Sequence, residues 1–144
     1  MFEDATGLLL YIALKLTGYS IWSYVGLRWL GDPSRATWKG ALARGVGRLL
    51  IGWGTGIVVA PFAIAAVGSG HVTMFYVTAL PVVRWFEWAI IHATVAASMT
   101  GTRFLDGLNS RGRLWRLGGI AVSYLADLPF LISEGGLPHG RIFC

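Results

Sequence analysis

Residues 7–30 read GLLLYIALKLTGYSIWSYVGLRWL, an apolar run that is interrupted by Lys15 and closes with Arg28 near its end. A helix that crosses a membrane needs about 20 mostly apolar residues, so this run is long enough to be one. The residues before it include Glu3 and Asp4, and they lack the basic segment of a secretory signal peptide. No small-residue cleavage site follows it. We therefore predict that the run is a membrane span of the mature protein.

Three further apolar runs follow along the chain, and each is predicted to be a span. They cover residues 49–67, 74–99 and 117–134, and the last is short and fades at Glu134. The predicted fold class is all-α: a polytopic membrane helical bundle with four transmembrane helices. Residues 1–144 are expected to form a single integral membrane domain, because the length leaves no room for a separate catalytic module.

The composition excludes two other classes of protein. Hydrophobic residues make up 55% of the chain and charged residues 13%, whereas a soluble domain has about 45–50% and about 25%. Such a chain cannot cover a water-facing surface, so an ordinary soluble domain is excluded. Intrinsic disorder needs low hydrophobicity and high net charge, and it is excluded as well.

The basic residues predict the orientation of the spans. Nine of the 12 lie in or beside two connections: Arg28, Arg35, Lys39, Arg44, Arg48, Arg103, Arg111, Arg113 and Arg116. The N-terminal tail and the connection at 68–71 contain no lysine or arginine. Cytoplasmic loops carry an excess of these residues, so we predict that loops 31–48 and 100–116 are cytoplasmic and that both termini are extracytoplasmic. We then expect the net charge of +5 to favour contact with anionic lipid headgroups on the cytoplasmic side. No nucleic acid is expected as a partner.

The segment 33–47, which precedes the second span, has two possible structures. Asp32 and Pro33 form a typical helix start, with an acceptor at the N-cap and proline at the first helical position. The residues that follow mix basic and apolar side chains. They indicate either a short interfacial helix on the cytoplasmic leaflet or an irregular basic loop.

Glycine and proline residues predict helix contacts and kinks inside the spans. Gly52 and Gly56 form a G-x-x-x-G pattern, which lets helix backbones approach closely, so this face is expected to pack against another helix. Pro61, Pro81 and Pro129 each lie inside a predicted span and are expected to kink it.

Five ionisable side chains fall inside the predicted spans and form the candidate polar cluster: Lys15, Arg84, Glu87, His92 and Asp127. Charges inside a bilayer are costly and usually pair or line a cavity. Lys15, Arg84, Glu87 and Asp127 are predicted at similar depth, near the centre or in the outer half of the membrane. Hydroxyl groups nearby that can complete a polar patch belong to Tyr11, Tyr19, Ser123 and Tyr124.

Two pairings are expected within this cluster. Arg84 and Glu87 are three residues apart on one helix and are therefore neighbours on its surface. Lys15 and Asp127 are expected to pair between helices, which would place the first span beside the fourth. The cluster is either a site for an ion, a proton or a headgroup, or a buried ion-pair network that holds the bundle or a partner. The second interpretation is favoured, because no series of acids or hydroxyls continues towards the inner face.

No cofactor, metal or catalytic residue is predicted. His92 is the one histidine inside the spans, whereas haem held within one chain needs two, so we expect His92 to be hydrogen-bonded within the bundle. The single cysteine, Cys144, is the last residue and lies in no metal-binding or prenylation motif. The chain contains no H-E-x-x-H, G-x-S-x-G or P-loop motif.

The sequence therefore favours a protein that is not an enzyme. The first hypothesis is an accessory or assembly subunit of a larger membrane complex, with other membrane subunits or further copies of itself as partners. The alternative is a small homo-oligomeric channel or transporter that uses the polar cluster.

Overall fold

The computed structural model describes residues 5–30, 33–67, 78–96 and 110–133, and these contain four α-helices. The helices are α1 (Ala5–Trp29), α2 (Trp38–Val67), α3 (Leu80–Ala96) and α4 (Ser110–Ser133). A short 3-10 turn, Pro33–Arg35, separates α1 from α2. No strand occurs among these residues. The predicted all-α class with four helices is thus confirmed for this part of the chain.

The second helix is longer than predicted, and residues 38–47 form neither a separate short helix nor an irregular loop. Residues 38–47 are the first turns of α2, which continues without a break to Val67. The helix starts at Trp38 because Thr37 caps it: the Gly40 backbone N–H donates to Thr37 Oγ1 at 3.1 Å. Pro33 begins the 3-10 turn instead of a helix, and Asp32 lies outside the described residues.

The third and fourth helices also differ in their bounds from the predicted spans. Pro81 lies in the first turn of α3, where proline is tolerated, so it does not interrupt that helix. The helical conformation is interrupted just before it, at Ala79 between Thr78 and Leu80. Pro61 and Pro129 are inside α2 and α4. The ends of the predicted third span, 74–77 and 97–99, fall outside the described residues. Helix α4 begins seven residues before position 117, so residues 110–116 of the predicted loop 100–116 are helical.

Neighbouring helices run antiparallel in a four-helix bundle. On α1 and α4, Lys15 meets Asp127 while Trp22 meets Trp115. Helices α2 and α3 are antiparallel as well, since residue 48 meets residue 87 and residue 44 meets residue 94. The same holds for α3 and α4, where residue 84 meets residue 127 and residue 88 meets residue 123. Between α1 and α2, Tyr19 meets Arg48 and Tyr24 meets Trp38. The start of α1 and the end of α4 therefore lie at the same end of the bundle.

Aromatic rings fill the centre of the bundle. Trp88 is fully buried and meets the rings of Tyr19 and Trp115 edge to face, with centroids 5.7 and 5.2 Å apart. The indole N–H of Trp22 donates to the Trp115 carbonyl at 2.9 Å, and the indole of Trp115 donates to the Trp22 carbonyl at 3.2 Å. These reciprocal bonds fix the register of α1 against α4.

Candidate functional site

Compared with a soluble protein, the bundle has an inverted distribution of polarity: ionisable side chains are buried and large apolar side chains are exposed. Six ionised side chains are buried, each at most 6% exposed: Lys15, Arg48, Arg84, Glu87, Arg116 and Asp127. Large apolar side chains are exposed along every helix, for example Leu9 (66%), Ile57 (77%), Phe86 (65%) and Leu125 (64%). Lys, Glu, Arg and Asp are almost never fully buried in soluble proteins unless paired. The polar cluster therefore lies in the interior of this bundle.

Asp127 is the centre of the first group of buried charges. Its Oδ1 lies 2.9 Å from Lys15 Nζ and accepts a hydrogen bond from the Tyr11 hydroxyl at 3.1 Å. Its Oδ2 accepts a hydrogen bond from Arg84 Nη2 at 2.8 Å. The predicted pair between Lys15 and Asp127 is present, and it places α1 beside α4. One carboxylate thereby ties three helices together.

Glu87 is the centre of the second group, and its partners were not foreseen. Glu87 forms an ion pair with Arg48 and accepts a hydrogen bond from the Thr55 hydroxyl, both on α2. From the sequence, Arg48 is expected in the cytoplasmic connection, and Glu87 is expected to be balanced by Arg84. The structure places Arg48 in the third turn of a helix, because α2 begins at Trp38. The helix start at Thr37 is the signal in the sequence that would have revealed this position.

Aromatic rings lie against the buried cations. Lys15 Nζ is 4.6 Å from the Tyr11 ring centre, and Arg84 Cζ is 4.6 Å from that of Tyr124. Arg48 Cζ lies 5.0 Å from the Tyr19 ring and 5.4 Å from the Trp88 ring. These cation–π contacts replace part of the hydration that the cations lose.

The expected hydroxyl groups divide between different partners. Tyr11 and Tyr124 contact the Lys15–Arg84–Asp127 group, as predicted. Tyr19 lies under Arg48 instead of completing a patch around Lys15. Ser123 accepts a hydrogen bond from Trp88 Nε1 at 3.3 Å and donates to the Gly119 carbonyl at 2.9 Å, so it serves packing between α3 and α4.

His92 is buried but lies apart from both carboxylates. Its ring is 5.8 Å from that of Trp115, in a tilted arrangement. The hydrogen bond expected within the bundle is absent at Nδ1, which has no partner in the part of the chain that the structure describes. His92 therefore belongs with Trp115 and Arg116 at the α3–α4 interface, within electrostatic range of Arg116.

Gly52 and Gly56 are both buried. Gly56 lies in a small cleft between α2 and α3. The cleft is lined by Thr55, Gly56, Val59, Leu80, Val83, Arg84 and Glu87. Its lining therefore includes two ionisable side chains, Arg84 and Glu87.

Among the residues that the structure describes, two helical segments are long and apolar enough to cross a membrane, Thr6–Trp29 and Trp38–Val59. Within residues 5–30, 33–67, 78–96 and 110–133, no three His, Cys, Asp or Glu side chains are grouped as metal ligands would be. No family model, no curated protein and no solved structure matches the chain.

Proposed function

We propose that the chain is an integral membrane protein in which α1 to α4 all cross the bilayer, and that it is a non-enzymatic accessory or assembly subunit of a larger membrane complex. The inverted polarity carries the first part of this proposal. A bilayer offers no water to exposed charges, so charged groups in membrane proteins face the bundle interior and pair there. Apolar side chains are then free to face the lipid tails.

The burial of the apolar helices supports a membrane location over a soluble core. Core helices of soluble proteins can be equally long and apolar, but they are mostly buried. In each of the two candidate spans, only 28% of the most apolar stretch is buried inside the protein. The remaining surface, which includes Leu9, Leu14 and Ile57, is most simply covered by lipid.

The distribution of exposed basic residues supports the proposed orientation. Arg28 at the end of α1, Lys39 at the start of α2, and Arg111 and Arg113 at the start of α4 are all exposed. Because neighbouring helices are antiparallel, these positions lie at one end of the bundle. We propose that this end faces the cytoplasm and its anionic headgroups, and that both termini are on the other side.

The role of a subunit is supported by how the charges are used. Both carboxylates of the described helices are engaged in ion pairs that tie helices together, which is a structural use of charge. The large apolar faces offer area for neighbouring membrane helices, which associate by close packing.

The test has two steps, beginning with the membrane. The chain is expected to remain in the membrane pellet after alkaline carbonate extraction and to need detergent for release. Recovery in the carbonate supernatant would contradict a spanning bundle. A known peripheral protein from the same membranes, released by carbonate, is the control.

The second step is purification of the tagged chain from its native membrane in mild detergent. Other membrane proteins are expected to co-purify at a fixed stoichiometry. A preparation that contains only this chain, as a monomer or a homo-oligomer, would contradict the subunit role.

A small homo-oligomeric channel or transporter is the second candidate, favoured by the cleft between α2 and α3. That cleft brings Glu87, Thr55 and Arg84 together. Purified chain in liposomes is then expected to conduct protons or small ions, and Glu87→Gln should reduce the flux at least about tenfold, since it removes the carboxylate that lines the cleft. Lys39→Gln, on the exposed start of α2, is the matched control. Equal flux for wild type, Glu87→Gln and empty liposomes would rule out this candidate.

A further inference from the structure

We propose that the cleft between α2 and α3 binds one water molecule, which joins the two groups of buried charges into a single hydrogen-bonded network. Both groups contribute to the walls of the cleft. Arg84 belongs to the group around Asp127, and Glu87 is the centre of the other. The proposal concerns side chains inside this chain, so it stands or falls independently of the subunit role.

The polar side chains on the walls match the needs of a buried water. A water molecule in a protein interior makes about three hydrogen bonds, with a range of about two to four. Three polar side chains line the cleft, Thr55, Arg84 and Glu87. The other lining residues are glycine or apolar: Gly56, Val59, Leu80 and Val83. The cleft therefore offers a water about as many partners as it needs.

Each of these three side chains can bond a water molecule in addition to its partners within the chain. A carboxylate has several acceptor positions, so Glu87 can serve Arg48, Thr55 and a water. A guanidinium has several N–H donors, so Arg84 can donate to a water as well as to Asp127, which lies 2.8 Å from Nη2. The Thr55 hydroxyl can accept through its lone pairs while it donates. A water that accepts from Arg84 and donates to Glu87 satisfies both.

The charges on the walls favour a neutral occupant over an ion. Arg84 and Glu87 carry opposite charges and are 2% and 5% exposed, so bulk water screens them little. A cation near Glu87 meets the guanidinium of Arg84, and an anion near Arg84 meets the carboxylate of Glu87. Glu87 is in addition ion-paired with Arg48. Water is neutral, both donates and accepts hydrogen bonds, and is repelled by neither charge.

The size of the cleft agrees with this choice. It has room for about one water molecule. A lipid headgroup or an organic molecule is too large for that space. Gly56 contributes to the room, because glycine has no side chain and the wall at this position consists of backbone alone. Space and charge therefore both point to a single water.

The water would connect contacts that otherwise involve different helices. Arg84 and Glu87 are three residues apart on α3 and are neighbours on its surface. Arg84 is paired with Asp127 on α4, which also holds Lys15 on α1, whereas Glu87 is paired with Arg48 on α2. Water-mediated hydrogen bonds are nearly as favourable in enthalpy as direct ones. A water between Arg84 and Glu87 thus links the buried charges of all four described helices.

X-ray radiolytic footprinting tests the proposal on the chain purified in mild detergent, together with any protein that co-purifies. A short X-ray pulse converts bound water into hydroxyl radicals that oxidise the nearest side chains, while a scavenger removes radicals from bulk water. Leu80 lines the cleft and is 5% exposed. Leu27 is also 5% exposed but lies in the hydrophobic core, so it is the matched control. Mass spectrometry is expected to show oxidation of Leu80 several times faster than that of Leu27.

Variants of Thr55 connect this oxidation to the polar wall. Thr55→Val removes one partner of the water and should reduce the oxidation of Leu80 about fivefold, the factor that corresponds to one lost hydrogen bond. Thr55→Ser keeps the hydroxyl and should retain the oxidation. Thr94→Val is the control on α3, because its hydroxyl bonds the Ile91 carbonyl and lies outside the cleft lining. Thermal unfolding shows which variants are folded, and the wild-type comparison of Leu80 with Leu27 needs none of them.

Two results would overturn the proposal. Equal oxidation of Leu80 and Leu27 in the wild type would show that no water is bound beside Leu80. Oxidation of Leu80 that is unchanged in a folded Thr55→Val variant would show that its radicals come from elsewhere. Neither result depends on whether other proteins co-purify, so the water site and the subunit role are tested separately.

Discussion

At the scale of single residues, Asp127 contacts more helices of the bundle than its local sequence indicates. It lies between Ala126 and Leu128 on α4, yet it engages Lys15 and Tyr11 of α1 and Arg84 of α3. One carboxylate is thus the common ion-pair partner of two buried cations on two other helices. Removing its charge is expected to weaken the contacts among α1, α3 and α4.

Asp127→Asn is expected to destabilise the isolated chain by about 3–5 kcal/mol, the usual cost of removing one member of a buried ion pair. The amide keeps the size of the side chain but leaves Lys15 and Arg84 without their counterion. The thermal unfolding midpoint in mild detergent measures the effect. Lys39→Gln, an exposed position, is the control and should not change the midpoint. An Asp127→Asn variant as stable as the wild type would show that these cations are not held by this carboxylate.

The residues of the site were predictable to different degrees. Lys15 and Asp127 stand out as charges inside apolar runs, and their similar expected depth was enough to propose that they pair. Arg48 did not stand out, since it follows a series of basic residues that resembles a loop. Its pairing with Glu87 depends on α2 beginning at Trp38, eleven residues before the predicted start of the second span at residue 49.

At the scale of helices, the close packing of α1 against α2 depends on a glycine that lies outside the G-x-x-x-G motif. Gly45 on α2 faces Ser20 on α1 so closely that an added Cβ would lie 3.0 Å from the Ser20 backbone N and 3.2 Å from its Cα. Backbone atoms cannot move aside as a flexible side chain can. The contact between α1 and α2 is thus limited by the absence of a side chain at position 45.

Gly45→Ala should therefore destabilise the bundle by about 1–3 kcal/mol, the usual cost of overpacking. Gly54→Ala is the matched control on the same helix, because nothing lies within 4 Å of a Cβ added there. That control should be neutral or stabilise by up to about 1 kcal/mol, since alanine favours a helix more than glycine does. Thermal unfolding of both variants in the same detergent makes the comparison. Equal effects would contradict the close approach of α1 and α2 at Gly45.

At the scale of the whole molecule, the bundle combines an inverted distribution of polarity with basic residues at one end. Exposed Arg28, Lys39, Arg111 and Arg113 belong to three helices that meet there. Antiparallel packing brings these residues together although they are distant in the sequence. Basic residues from separate stretches of the sequence are thereby brought to one end of the folded molecule.

Labelling of cysteine tests the proposed orientation. Cys144 is the single cysteine of the chain, so a membrane-impermeant maleimide should label it on intact cells. In a Cys144→Ser background, a cysteine introduced by Lys39→Cys should be labelled only after the membrane is permeabilised. The reverse pattern would invert the proposed topology, and labelling of both positions on intact cells would contradict a sealed spanning arrangement.

The sequence by itself determined the helical class, the four helices of the described part of the chain and the excess of basic residues at two connections. These properties depend on the length and composition of local runs, such as residues 7–30. Only the tertiary structure decided which buried charges meet. Glu87 pairs with Arg48 because α2 and α3 pack in a particular antiparallel register. Register follows from packing between distant residues, such as Trp88 with Trp115, and no local pattern records it.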